Sequence, residues 1–200
     1  KGEVVSPKSP GDPGVYTQRI DAGGFNYHES LATELVASGI DVLTTANNHA
    51  FDRGVKGIEV TAATLERAGA VQVGSIKGAD DPSRAARRPP DGWYRVTELN
   101  GWRVAWVGCT SILCSECRFS LRISKAEVRR RILHCDNALD LVRDLSRRPD
   151  VDMVLVGAHW GAQFVDQYAP RTVRLAHEIL EAGASAVFGN HPHVMQGAER

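Results

Sequence analysis

Apolar residues recur along this chain with two periods. Spacings of three and four residues mark helices, and short continuous apolar runs mark strands. Leu31, Leu35 and Val36 share one face of a helix predicted over Tyr27–Ser38, with Gly39 as its stop. Ile58, Ala62 and Leu65 set a second helix over Gly54–Ala68, closed by Gly69. Val128, Ile132, Cys135, Leu139 and Val142 form one stripe. That stripe predicts a single long helix, opened by the capping-box pair Ser124 and Glu127. Pro170 starts a further helix that runs to about Ala182, before Gly183. Strands are expected at Ile40–Ala46, Ala70–Val73, Trp93–Leu99, Trp102–Gly108, Val151–Gly157 and Ala184–Phe188, the last as a buried strand ended by Gly189. Asn100-Gly101 between two of them is a strong hairpin signal.

Helix, glycine and strand follow one another three times, at Gly39, Gly69 and Gly183. Alternation of helices and strands around one hairpin predicts an α/β sandwich with mixed sheets in a single domain, 1–200. Residues 1–24 are rich in Pro and Gly and read as an extended arm or loop. Residues 74–92 read as a surface loop, and 109–123 as irregular. The chain starts at Lys1 and stops at Arg200, soon after its strongest motif. It is read as an excerpt of a longer domain, incomplete at both ends.

Charge narrows the partners. Lys plus Arg number 24 and Asp plus Glu 24, so no basic nucleic-acid footprint is present. No apolar run approaches the roughly 20 residues that span a bilayer. Arg129, Arg130 and Arg131 are expected on the solvated face of the long helix. Trp93, Trp102 and Trp106 alternate along the hairpin and read as packing. Cys109, Cys114, Cys117 and Cys135 include one CxxC. A zinc knuckle would need Cys109, His134 or Cys135 as partners at irregular spacing. A local disulfide or free thiols are the preferred reading.

Candidate chemistry gathers at three strand ends. They deliver Asn47-Asn48-His49, then His159-Trp160-Gly161, then Gly189-Asn190-His191-Pro192-His193. In open α/β sheets the ligand crevice lies at the carboxyl ends of strands. Imidazoles plus an amide oxygen make a nitrogen-rich site for zinc or a transition metal. Asn48 could ligate while His49 projects toward substrate as an acid. Asp52 stands where a helix N-cap is expected, with an orienting contact to His49 as its second role. Trp160 reads either as a wall for an apolar substrate or as a core aromatic. Arg171 reads either as an anion contact or as part of a solvated helix face. His28, His134 and His177 read as surface residues.

The stretch Ala46-Asn47-Asn48-His49-Ala50-Phe51-Asp52-Arg53-Gly54 resembles the "ANNHxxDxG" signature of the CapA family, the poly-γ-glutamate capsule synthesis proteins. His159-Trp160-Gly161 resembles its "HWG", and Gly189–Gln196 its "GxHPHVxQ". The likeness covers roughly residues 27–199 and is weakest at 109–150. It implies an αββα sandwich similar to calcineurin-like metallophosphoesterases. It implies Asn48, His159, His191 and His193 as ligands of one or two divalent ions (Mn, Zn or Fe), with His49 catalytic. The acidic ligands of a dinuclear site would then come from outside this stretch. The resemblance extends to a lasso-peptide epimerase branch, in which acid–base chemistry at a Cα needs no metal. The implied partners are a peptide or an anionic polymer. A capsule role implies an extracytoplasmic, membrane-associated setting with assembly partners; a peptide-modifying role implies the cytoplasm. A non-catalytic capsule-assembly component is the third reading.

Overall fold

The structure, a computed structural model, describes residues 25–79, 92–113 and 123–200. The expected arm at 1–24, most of the 74–92 loop and the Cys114–Cys117 stretch lie outside the described residues. In chain order the elements are α1 (Ser30–Ala37), β1 (Val42–Thr44), α2 (Gly54–Arg67), β2 (Val71–Val73), β3 (Tyr94–Leu99) and β4 (Trp102–Thr110). There follow α3 (Lys125–Arg131), a 3-10 turn (Cys135–Asn137), α4 (Ala138–Ser146), β5 (Met153–His159), α5 (Pro170–Glu181) and β6 (Ala186–Asn190).

Strands β1 and β2 pair in parallel. A second sheet has the order β3-β4-β5-β6, antiparallel at the hairpin and parallel elsewhere. The hairpin turns at Asn100 and Gly101, with φ of 51° and 82°, the paired left-handed values of a type I′ turn. Helices α1 and α2 pack together and α2 lies on β2, while α4 and α5 lie on β4, β5 and β6. The smaller sheet touches β3 and β4 from the other side. The layers are therefore helix, sheet, sheet, helix, the expected αββα arrangement.

Each helix–Gly–strand junction closes alike. The N–H groups of Ile40, Ala70 and Ala184 donate to the carbonyls of Leu35, Leu65 and Ile179, a Schellman closure that satisfies a helix-end carbonyl. The chain then turns straight into the next strand. The core of the larger sheet holds Val107, Val156, Leu145 and Ile179, and a smaller cluster joins Ala32, Leu43 and Leu65 across α1, β1 and α2. Each such buried aliphatic side chain contributes about 1.5–3 kcal/mol through apolar burial.

Five expectations are corrected. The long helix is broken, because Ile132–His134 is extended. Ile132 bridges Ser75 and His134 bridges Thr110, while Leu133 donates its N–H to Gly74 and accepts from Thr110. Pairing with both sheets outweighs the helical periodicity there. Arg131 points inward rather than to solvent and is fully buried, paired with Glu59 and Glu127. Ser124 does cap the helix, accepting from the Glu127 N–H, but the Glu127 carboxylate goes to Arg130 and Arg131. Strand β6 extends through Asn190 and is not buried, because it forms the sheet edge and leaves Phe188 exposed. Trp102 is likewise exposed, at the hairpin tip, whereas Trp106 donates from Nε1 to Thr97 Oγ1 at 2.8 Å.

Cys109 and Cys135 form a disulfide and are both fully buried, which removes them as zinc ligands. Among the described residues, no helix is long and apolar enough to cross a membrane.

Candidate functional site

The end of β1 is shaped by its own side chains. Asn47 Oδ1 accepts the His49 N–H at 2.8 Å, a local Asx-type bond that bends the chain just after the strand. Phe51 anchors the turn in a cluster with Ala46, Ile58, Val128 and Ile132. Between those fixed points the chain presents Asn48 and His49.

His49 does not stand alone. Its Nδ1 lies 2.9 Å from Asp52 Oδ2, with the Asp52 side chain fully buried and that of His49 14% exposed. Asp52 Oδ2 also accepts the Phe25 N–H at 2.8 Å. The Phe25 ring meets the imidazole edge-on, with centroids 4.5 Å apart. The helix N-cap expected of Asp52 is not what forms. Helix α2 is preceded by Arg53, with no side-chain capping bond, and the Asp52 carboxylate orients His49 instead.

The other two strand ends are set by register. Thr110, His159 and Asn190 are successive partners across β4, β5 and β6. Thr110 Oγ1 and the Ser111 N–H both donate to the His159 carbonyl. The same register puts Asn190 Oδ1 2.5 Å from His159 Nδ1. On the other side of the ring, His159 Nε2 lies 2.9 Å from Asn48 Oδ1. A neutral imidazole carries one N–H and can donate to only one amide oxygen. With Nδ1–H given to Asn190, the Nε2 lone pair faces the Asn48 oxygen. Asn48 turned to present its amide N–H, or a cation shared by the two atoms, would reconcile that pair.

Past Asn190 the chain turns through His191 and His193, whose φ values are 96° and 61°, left-handed conformations that non-Gly residues seldom adopt. His191 is buried, and its ring centroid lies 4.6 Å from that of His159 and 5.8 Å from that of His193. Asn48, His159, His191 and His193 are therefore neighbours at the strand ends. They fall short of a dinuclear metal site. Among the described residues, no three or more His, Cys, Asp or Glu are grouped to hold an ion. Asn48 and His159 fit as two donors, without the carboxylates that would hold two dications together.

Trp160 is buried in the main core, and a Cβ at Gly189 would fall 2.7 Å from its Nε1. That is the core-aromatic alternative of the two. Arg171 is exposed on α5 and donates to Asp136 at 3.1 Å, a surface ion pair. Two partners carried no signal in the sequence. Phe25 borders a stretch without periodic pattern. Asn190 is part of a motif, but its role depends on which strand lies beside β6.

Residues 14–200 match the model of the family described as "Bacterial capsule synthesis protein PGA_cap". Curated relatives agree. The capsule biosynthesis protein CapA of Bacillus anthracis is 29% identical over 181 residues, covering 86% of this chain and 40% of its own. The PGA biosynthesis protein CapA of Bacillus subtilis is 27% identical over 158 residues, 79% of this chain and 38% of its own. A probable polyglutamine synthesis accessory protein of Mycobacterium tuberculosis is 28% identical over 175 residues, 84% of this chain and 43% of its own. The chain thus spans about two fifths of the length of these relatives.

Proposed function

The chain belongs to the bacterial capsule synthesis protein family PGA_cap, and from that premise we propose that its crevice is an acid–base site acting on a polyamide, either a peptide or a poly-γ-glutamate-type chain. The observation that carries this reading is the His49–Asp52 pair, 2.9 Å apart with the carboxylate buried. A carboxylate on Nδ1 fixes the imidazole tautomer and leaves Nε2 as the nitrogen that exchanges protons with substrate. In amide cleavage or transfer, His49 Nε2 would take the proton of the attacking water or amine as it bonds to the carbonyl carbon, and give that proton to the nitrogen that departs as the C–N bond breaks. His159, bonded through both ring nitrogens to Asn48 and Asn190, would hold the Asn48 amide in place beside the substrate.

Peptide epimerisation is the second reading. It uses the same pair, with His49 taking or returning a Cα proton. It asks for no carboxylate ligand set, which suits a crevice whose Asp52 is committed to His49 and to the Phe25 N–H.

The test uses the full-length protein with γ-linked glutamate oligomers and with peptides, followed by mass spectrometry in D2O with and without chelator. Deuterium at a Cα, insensitive to chelator, selects epimerisation. Chain shortening or transfer that chelator abolishes selects the metal-assisted reaction. In either case Asp52→Asn should lower the rate about 10²–10⁴-fold, the span of general acid–base catalysis. Binding that survives His49→Ala, with no turnover in any arm, would leave a non-catalytic assembly component and sink the acid–base reading.

A further inference from the structure

The His159 ring is gripped from two sides by amides. Its Nδ1 lies 2.5 Å from Asn190 Oδ1, and its Nε2 lies 2.9 Å from Asn48 Oδ1. A neutral imidazole has one N–H and one lone pair. An amide offers either its oxygen or its NH2 group, according to which way it is turned. The three side chains are therefore coupled. If Asn190 accepts the ring N–H, Asn48 must present its NH2 group to the other nitrogen. If Asn48 accepts instead, Asn190 must turn. One choice fixes all three.

Two observations place that choice at Asn190. The first is distance. A contact of 2.5 Å is shorter than the usual range of about 2.7–3.2 Å, so it suits a carbonyl oxygen and is too close for an NH2 group. The 2.9 Å contact at Asn48 admits either end of the amide. The second is anchorage. Asn190 is the register partner of His159 across β5 and β6, and its carbonyl accepts the Trp160 N–H at 3.1 Å. The His159 carbonyl is held in turn by Thr110 Oγ1 and the Ser111 N–H. Both ends of the Nδ1 bond thus stand on paired strands, whereas Asn48 stands on the turn that follows β1.

We propose that Asn190 is a positioning residue: it takes the Nδ1 proton of His159, fixes the ring in that tautomer, and so makes Asn48 give its NH2 group to Nε2 and keep its oxygen for a ligand. Asn190 is bonded to the opposite side of the ring from Asn48, and it acts through that ring. In the other tautomer Asn48 would spend its oxygen on His159 and offer a donor instead of an acceptor. The inference deepens the polyamide reading above and rests on it for the ligand: the oxygen kept by Asn48 would accept a substrate N–H.

The experiment is nitrogen NMR of the full-length protein carrying isotope-labelled histidine, as purified and again after chelator. It is run at about pH 9, well above the ordinary imidazole value near 6.5. The His159 signals are those lost in His159→Gln. Wild type should carry a proton on Nδ1 and none on Nε2 in both samples. Asn190→Leu has no acceptor, so the proton should move to Nε2, where Asn48 Oδ1 takes it. Asn190→Asp, an acceptor only, should keep the proton on Nδ1. A wild-type proton on Nε2 overturns the proposal without recourse to any variant at residue 190. So does an Asn190→Leu ring with the wild-type signals. So does a proton that moves to Nε2 once chelator is added, which would give the choice to a bound cation. The two readings fail separately, because the tautomer is read without substrate. Turnover that is unaffected in His49→Ala would sink the acid–base site alone and leave the role of Asn190 standing.

Discussion

Gly108 and Gly157 stand opposite each other in the register of β4 and β5, and the side chain of Thr44 from the smaller sheet lies over both. The two glycines are not equivalent. A Cβ at Gly108 would fall 2.7 Å from Thr44 Oγ1, 3.0 Å from the Val73 carbonyl oxygen and 3.1 Å from Gly74 Cα. A Cβ at Gly157 would meet nothing closer than Thr44 Cγ2 at 3.5 Å, an ordinary contact. Gly108→Ala must therefore push the sheets apart, with an expected loss of about 1–3 kcal/mol. Gly157→Ala should be neutral or stabilise by up to about 1 kcal/mol, since alanine limits the unfolded chain. Urea unfolding of the two variants checks this. Equal losses would mean that the sheets do not pack through Gly108.

The Cys109–Cys135 disulfide joins the end of β4 to the 3-10 turn that leads into α4, across a sequence separation of 26 residues. Cross-linking a loop of that length restricts the unfolded chain, an effect of about 3.5 kcal/mol in the loop-closure model. The double change Cys109→Ala/Cys135→Ala should lower stability by about 2–4 kcal/mol. The crevice would feel it as well, because Thr110, next to Cys109, holds the His159 carbonyl. Comparing the unfolding midpoints of wild type and variant decides the point. No loss of stability would show that the bond contributes nothing to the fold.

Arg103 and Asp152 form an ion pair at the far end of the sheet. Asp152 accepts from the Arg103 guanidinium at 2.7 and 3.0 Å and from the Arg103 N–H at 2.7 Å. The guanidinium bonds, with the backbone bond second, pull the Asp152 carboxyl down to about 2. A carboxylate depressed in the folded state gives stability that is fully present above its unfolded value, near 3.9, and is lost as pH falls through the folded one. Stability should therefore decline between about pH 4 and pH 2. Part of that slope should be missing in Asp152→Asn, measured by denaturant unfolding at each pH. Identical slopes in the two proteins would show that the pair does not couple to folding.

The candidate site was legible in outline because its residues follow strand ends, where a crevice is expected in any α/β sheet. Asn48, His49, His159, His191 and His193 could be picked out on that ground alone. Their working partners could not. Asp52 is three residues from His49, close enough to suggest contact, yet the same position suits a helix cap. The cap lost because the Phe25 N–H and the His49 ring both compete for that carboxylate.

Local signals determined what depends on neighbours in the chain. The periods of Ile58, Ala62 and Leu65, the Asn100-Gly101 turn and the three helix-ending glycines each act within a few residues, so the sequence by itself settled those elements. Tertiary structure decided what depends on neighbours in space. The segment Ile132–His134 is periodic enough for a helix, but the Leu133 N–H and C=O found partners in Gly74 and Thr110. Backbone pairing to two sheets at once overrides a helical stripe, and no local window contains those partners. The same holds for Arg131, which is buried because Glu59 lies 72 residues away in sequence and within bonding distance in space. It holds for Asn190, whose contact with His159 exists only because β6 lies beside β5.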